Sequence, residues 1–106
     1  QIPFQSSDSY SSYHLYPIRI KLRESKQTQK QTYDALQLAD IGVNIHYIPI
    51  YRQPYFESMG FKAGYCSEAE EYHKEVLSIP IYPSLSKNQQ AYVVESLRLA
   101  LTEKTL

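Results

Sequence analysis

The chain of 106 residues is poor in several residue types that define common classes of protein. Tryptophan is absent, cysteine occurs once, and the eleven basic side chains are balanced by eleven acidic ones. The single Cys66 cannot form an internal disulfide, so we expect a reduced thiol in a cytoplasmic protein. The zero net charge gives no indication of a nucleic-acid partner. No signal peptide is evident and no apolar run approaches the ~18 residues of a membrane span, so we expect no membrane association.

The sequence also lacks the patterns that usually carry catalysis. No HxxxH, CxxC or DxD spacing indicates a metal site, and no glycine-rich loop follows a strand to hold phosphate. Cys66 has acidic neighbours and no cationic partner that would activate a nucleophile. The lysines lie in polar, helical or terminal settings, with Lys62 the one ambiguous case. We therefore predict no catalytic, metal-binding or cofactor-binding residue within these 106 residues.

Tyrosine is abundant, and the segment of residues 43–56 concentrates it. An apolar run carries His46 and Tyr47 to its end, breaks at a proline, and enters a loop with Tyr51, Arg52 and Tyr55. Tyrosine combines a ring with a polar tip, which suits a ligand cleft but equally suits the edge of a small core. Arg52 could meet an anion or a ring, or form a surface ion pair. We predict these five residues as substrate-binding candidates.

The three histidines differ in setting. His73 lies among charged residues of a predicted helix and is expected on a solvated face. His14 lies in a predicted strand and is expected to be a hydrogen-bonded structural residue. His46 stands at a strand end, where sheets present functional side chains, so a ligand contact competes with a structural role there.

The hydrophobic pattern predicts an α/β (α+β) domain with a sheet of about three strands and helices packed on it. Residues 1–11 read as an irregular lead-in or linker, and residues 12–106 as the domain. The predicted elements are a strand at 12–22 with Pro17 at an edge or bulge, a helix at 27–40 stopped by Gly42, a strand at 43–48, a long loop with Gly60 and Gly64, a helix at 67–77, a strand at 79–82 and a last helix. Capping boxes beginning at Ser67 and Ser86 are expected to open the last two helices.

Five blocks of sequence carry a resemblance to a known family. They are SYHLYPI at residues 12–18, GVNIHYIP at 42–49, QPY at 53–55, EAE at 68–70 and LSIPIYP at 77–83. In order and spacing they resemble the C-terminal small domain of the DegT/DnrJ/EryC1/StrS sugar aminotransferases. The HYIP and QPY blocks favour the branch of the family that acts in pseudaminic-acid biosynthesis.

The resemblance implies a function for the whole protein that these residues do not perform alone. Family members are homodimers with the aspartate-aminotransferase type I fold that use pyridoxal phosphate (PLP) to move an amino group from glutamate to a 4-keto nucleotide sugar. Their PLP-binding residues belong to a large domain absent here, so we expect a fragment that is inactive alone and binds no PLP. The resemblance places His46 and Tyr47 beside the nucleotide sugar, with the loop of Tyr51, Arg52 and Tyr55 bordering the same cleft.

Other readings remain open. The chain could instead be a stand-alone sugar-binding or protein-interaction module without catalysis. As a fragment, its expected partners are its own large domain and a homodimer mate, and without them we expect self-association through residues 48–56.

Overall fold

A computed structural model of the chain describes residues 1–21 and 23–102. Leu22 and residues 103–106, which the predicted first strand and the predicted domain include, lie outside this part. The elements are β1 (Tyr16–Arg19), α1 (Gln29–Leu38), a 3-10 turn (Ile50–Arg52), α2 (Pro54–Ser58), α3 (Ser67–Glu75), β2 (Val76–Ile79) and α4 (Lys87–Thr102). Within the described residues, no helix has the length and apolar character that crossing a bilayer requires.

The sheet is an antiparallel pair of β1 and β2, with Tyr16 opposite Ile79 and Pro17 opposite Ser78. Pro17 is tolerated because β1 lies at the edge of this pair, as predicted, and because proline at this position removes no bond to β2. The strand is shorter than the predicted 12–22. Tyr13 has a positive φ of 48°, and the carbonyl of Lys21 accepts from the amides of Glu24 and Ser25 in a turn.

The prediction of a third strand at residues 43–48 is wrong, and the sheet has two strands instead of about three. Asn44 makes an isolated bridge to Ser78, with N–O distances of 2.8 and 3.1 Å. The Asn44 side chain then accepts from the amide of Ile45 at 3.1 Å, which diverts that donor from a ladder. Pro49 has no amide proton to extend one. The segment therefore touches the sheet at a single residue.

Helix α1 forms as predicted and buries Leu36, but it is shorter than the predicted 27–40 at both ends. Thr28 and Gln31 make a capping box that the sequence analysis missed. The helix ends at Leu38, and Asp40 takes the left-handed conformation with φ 55°, so Asp40 and not Gly42 provides the stop. Asparagine and aspartate adopt the left-handed backbone conformation more easily than most residues, so the helix can end at Asp40 without a glycine.

The predicted capping box at Ser67 is wrong. Cys66 is the N-cap of α3 and makes no side-chain cap bond, while Ser67 is already helical. The Glu70 carboxylate accepts instead from Gly64 and Tyr51. The helix also ends at Glu75, earlier than the predicted Leu77, because β2 follows it directly.

The predicted strand at residues 79–82 is displaced, since β2 occupies Val76–Ile79. Pro80 lacks an amide proton and ends the ladder where the prediction placed its start. The capping box at Ser86 is confirmed, with the Gln89 amide 3.2 Å from the Ser86 hydroxyl and the Ser86 amide 2.9 Å from the Gln89 side chain. The predicted long loop contains the 3-10 turn and α2, with Gly60 and Gly64 at positive φ.

The core lies between one face of the sheet and the helices α1 and α4. Its buried side chains are Ile18, Ile20, Leu36, Ile41, Val43, Leu77 and Val93. The alternating residues Ile18 in β1 and Ile20 just after it both face this core, and Leu97 and Leu101 of α4 pack against it. Helix α3 is held to β1 by the buried Glu75, whose carboxylate lies 2.7 Å from the Arg19 guanidinium. Burial of this cluster supplies the main stabilisation of the fold.

Candidate functional site

His46 contacts the sheet through one ring nitrogen and is partly exposed to solvent. Its Nδ1 lies 2.9 Å from the hydroxyl of Ser78 on β2, and its half-buried ring packs edge-on against Tyr47 with 4.6 Å between ring centroids. Tyr47 is 68% exposed. His46 follows the Asn44 bridge by two residues, so the sequence placed it correctly at the edge of the sheet although the strand itself is missing.

A shallow hollow of about 290 Å³ lies beside this pair. It is lined by His14, Leu15, Gly42, Val43, Asn44, His46, Ser78, Ile79 and Ile81. His14 is exposed and its ring makes no hydrogen bond within residues 1–21 and 23–102, so the prediction of a hydrogen-bonded structural histidine is wrong. The hollow thus offers two imidazoles and an apolar wall to a small polar ligand.

Tyr51 is buried, and its hydroxyl is fully engaged inside the chain. It donates to the Glu70 carboxylate at 2.7 Å, lies 3.0 Å from the Cys66 carbonyl, and accepts from the Cys66 amide at 3.3 Å. Burial, with the bond to Glu70, raises the pKa of Tyr51. The amide of Gly64, followed by Tyr51, lowers the pKa of Glu70. Tyr51 therefore joins the 3-10 turn to the start of α3.

Arg52 forms an ion pair with Glu57 at 2.9 Å across the start of α2. The hydrogen bond to Glu57 raises the pKa of Arg52. The surface ion pair, one of the two readings of the sequence, is confirmed. Tyr55 is 70% exposed at the first turn of α2.

A row of five aromatic rings runs from Tyr55 along the loop to Tyr51. Consecutive ring centroids are 5.2 Å apart for Tyr55 and Phe56, 6.2 Å for Phe56 and Phe61, 4.9 Å for Phe61 and Tyr65, and 5.3 Å for Tyr65 and Tyr51. All four pairs are edge-to-face, the arrangement that aromatic quadrupoles favour. The row stiffens the segment between the 3-10 turn and α3, and so sets where Tyr55 lies.

The other reactive side chains, His73 and Cys66, lie in different environments. His73 is half-buried and its Nδ1 is buried without a hydrogen-bond partner in the described residues, so its predicted solvated position is wrong. Cys66 is a free, exposed thiol. Within residues 1–21 and 23–102, no group of three or more histidine, cysteine or acidic side chains could hold a metal ion.

Two residues of the site were missed as functional in the sequence. The Ser78 hydroxyl contacts the His46 ring, and the Glu70 carboxylate accepts a hydrogen bond from Tyr51. Glu70 had instead been predicted as part of a capping box. The sequence marks Ser78 only weakly, as the one polar residue in the apolar run VLSI; that its side chain is 5% exposed and contacts His46 is known from the structure. Glu70 carried no such signal, because its partners lie in a loop whose path the pattern does not fix.

Solved structures with the same architecture define the class of the fold. The chain superposes on Streptomyces venezuelae DesV, solved in complex with a ketimine intermediate, with a TM-score of 0.84 and 23% identity over 98% of this chain and 27% of that one. At this identity the likeness shows an aminotransferase-type fold. The model of the DegT/DnrJ/EryC1/StrS aminotransferase family matches residues 1–98, so the chain belongs to that family.

Two curated relatives are similar to most of this chain. The spore coat polysaccharide biosynthesis protein SpsC of Bacillus subtilis is 32% identical over 91% of this chain and 25% of its own length. The UDP-4-amino-4,6-dideoxy-N-acetyl-beta-L-altrosamine transaminase of Campylobacter jejuni is 29% identical over 82% of this chain and 23% of its own length. The chain thus spans about a quarter of the length of the curated relatives it matches.

Proposed function

We propose that the chain is the C-terminal small domain of a PLP-dependent aminotransferase that transfers an amino group from glutamate to a 4-keto nucleotide sugar. The supporting observation is the family match over residues 1–98 combined with a span of one quarter of the relatives' length. The names of the two relatives point to polysaccharide and amino-sugar synthesis. The product would serve a surface glycan such as one containing pseudaminic acid.

The residues described here do not fit PLP itself. A lysine that binds a carbonyl cofactor needs a desolvated or cationic setting. Of the described lysines, Lys21 is half-buried and the others are exposed, among them Lys62, which the sequence left ambiguous. The residues that hold PLP therefore belong to the proposed large domain, and the fragment alone is inactive.

The role we assign to this domain is to form one wall of the substrate cleft. His46 and Tyr47 can exchange hydrogen bonds with sugar or carbonyl oxygens, and the exposed Tyr47 ring can pack on a sugar face. In this proposal the loop that carries Tyr55 and the Arg52–Glu57 ion pair borders the same cleft. Because the Tyr51 hydroxyl donates to Glu70, we propose that Tyr51 does not bind the substrate directly and instead holds the conformation of this loop.

The rival function is a stand-alone sugar-binding or interaction module. The exposed apolar side chains of Tyr47, Ile50 and Tyr55 favour it, since such surface often marks a binding site. The two functions differ in what surrounds the domain in the gene. A reading frame that continues upstream of Gln1 into a lysine-bearing large domain supports the aminotransferase, and a start codon next to Gln1 supports the module.

The decisive experiment uses the intact gene product with PLP, glutamate and a UDP-linked 4-keto sugar. We expect a visible absorbance band of bound PLP and transfer of the amino group to the sugar. Tyr47→Phe should raise KM by roughly three- to tenfold, the effect of losing one hydrogen bond to the ligand. Tyr10→Phe, an exposed tyrosine of the lead-in, is the matched control and should change nothing. An intact protein that binds no PLP would contradict the proposal.

A further inference from the structure

Ser78 is a buried polar residue whose backbone is already satisfied. It lies in β2 between Leu77 and Ile79, and as their neighbour in an extended strand it points to the sheet face opposite the core. Its amide donates to the Asn44 carbonyl at 2.8 Å, and its carbonyl accepts from the Asn44 amide at 3.1 Å. The hydroxyl is the polar group that remains, and its partner is Nδ1 of His46 at 2.9 Å.

The direction of this hydrogen bond follows from what the hydroxyl needs. A buried hydroxyl proton must find an acceptor, because an unpaired one is costly. Within residues 1–21 and 23–102, the Ser78 hydroxyl has no other recorded acceptor. If His46 donated from Nδ1, the serine proton would have no acceptor in the protein and would have to meet solvent in the shallow hollow. Donation from the hydroxyl to Nδ1 satisfies that proton within the protein, and a neutral imidazole then carries its proton on Nε2.

We propose that Ser78 is a positioning residue that holds His46 in the Nε2–H tautomer, so that His46 presents a hydrogen-bond donor to an acceptor oxygen of the substrate. The identity of that substrate rests on the proposed function. A nucleotide sugar offers its strongest acceptor oxygens on the phosphates and on the carbonyls of its base and of an N-acetyl group. A donor on Nε2 fits any of these oxygens, whereas in this tautomer Nε2 cannot accept a hydrogen bond from a sugar hydroxyl.

The tautomer is tested by long-range proton–nitrogen NMR on the intact gene product with ¹⁵N-labelled histidine, at a pH where the imidazoles are neutral. His46→Gln assigns the resonance. We expect His46 to show the Nε2–H form alone, Ser78→Ala to give a mixture of tautomers, and Ser78→Thr, which keeps the hydroxyl, to restore the single form. An Nδ1–H form in the unmodified protein, or an unchanged tautomer in Ser78→Ala, overturns the proposal. If Ser78→Ala does not fold, the spectrum of the unmodified protein still decides.

A binding cycle tests whether Ser78 acts through His46. Ser78→Ala should weaken binding of UDP-N-acetylglucosamine about fivefold, as expected for losing the preferred orientation of one hydrogen bond. In a His46→Ala background the same change should have no further effect, because the two residues act as one unit. Equal losses in both backgrounds would make Ser78 a structural residue only and overturn the proposal.

Two smaller probes identify the acceptor oxygen. UDP carries the phosphates without the sugar, and a methyl glycoside of N-acetylglucosamine carries the carbonyl without the phosphates. A His46→Ala loss confined to UDP assigns the acceptor to the nucleotide part of the ligand, and a loss confined to the glycoside assigns it to the N-acetyl sugar. No loss with either probe overturns the donor role of His46. If no probe or nucleotide sugar binds at all, the proposed function fails, while the tautomer spectrum still tests the role of Ser78.

Discussion

The Tyr51 hydroxyl joins the 3-10 turn to the start of α3, which lies 15 residues further along the chain at Cys66. It contacts both backbone groups of Cys66 and the Glu70 carboxylate. Tyr51→Phe keeps the buried ring but leaves these partners short of a hydrogen bond, so we expect a fall of several degrees in Tm. Thermal unfolding followed by circular dichroism measures it. Tyr65→Phe, an exposed ring of the same aromatic row, is the control, and an equal fall there would show that the hydroxyl network is not the cause.

Glu70 makes the stability of this region depend on pH. Its folded-state pKa is lowered, first by the Gly64 amide and then by Tyr51, so the carboxylate stabilises the fold above its unfolded pKa of about 4.3. That contribution is lost as the pH falls through the lowered folded value. We expect Glu70→Gln to be less stable at pH 7 and to lose less stability than the unmodified chain between pH 5 and about 3.

Urea unfolding at several pH values measures this dependence. Glu68→Gln in the same first turn of α3 is the matched control, since Glu68 is exposed and should keep the acid sensitivity of the unmodified chain. If Glu70→Gln loses as much stability on acidification as Glu68→Gln, the Glu70 network does not carry the effect.

Single residues of the site were predictable to different degrees. His46 and Tyr47 could be found because a local pattern, an apolar run ending at a proline, fixes where they lie along the chain. The contact of Ser78 with His46 could not be predicted, because it depends on the bridge between Asn44 and β2, which are more than thirty residues apart in sequence. Tyr51 illustrates the same difficulty, since the sequence gives an aromatic ring without showing whether its hydroxyl faces solvent or Glu70.

The two predicted capping boxes give a direct contrast between helices. Ser86 caps α4 with reciprocal bonds to Gln89, whereas Ser67 lies inside α3 without a cap bond. We expect Ser86→Ala to lower the free energy of unfolding by about 1 kcal/mol, the usual value of such a cap, and Ser67→Ala to change it little. Urea midpoints at an unchanged m-value measure both. A larger loss for Ser67→Ala would restore the original assignment of its cap.

Elements were predictable where periodicity alone defines them. Apolar spacing predicts the core-facing sides of α1 and of β1, and the structure confirms both. On α4 the predicted stripe is confirmed for Val93, Leu97 and Leu101, but Tyr92, predicted on the same stripe, is 55% exposed. The strand at residues 43–48 failed because its β-branched composition says nothing about whether a partner is present. The boundary of α3 failed because the change from helix to strand at Val76 has no glycine or proline to mark it. In both cases, contacts with distant parts of the chain determine the secondary structure.

The whole domain leaves two apolar surfaces uncovered. The first is the loop surface of Tyr47, Ile48, Ile50 and Tyr55, and the second is the α4 surface of Val94, which is 58% exposed and lines a groove with Ile79 and Ile81. A domain that spans a quarter of its relatives' length is expected to bury some such surface against the rest of its chain or a second copy. Which of the two associates first is therefore a property of the molecule that solution measurements can establish.

We expect the isolated 106-residue chain to self-associate through the loop surface. Ile50 is 67% exposed in this loop, so Ile50→Glu adds a charge to the apolar surface and should shift the chain toward monomer. Val94→Glu adds the same charge to the α4 surface and is the matched control, expected to leave association unchanged. Sedimentation velocity over a range of concentrations distinguishes the two. A strictly monomeric unmodified chain at high concentration would refute the prediction, and loss of association in Val94→Glu alone would move the interface to α4.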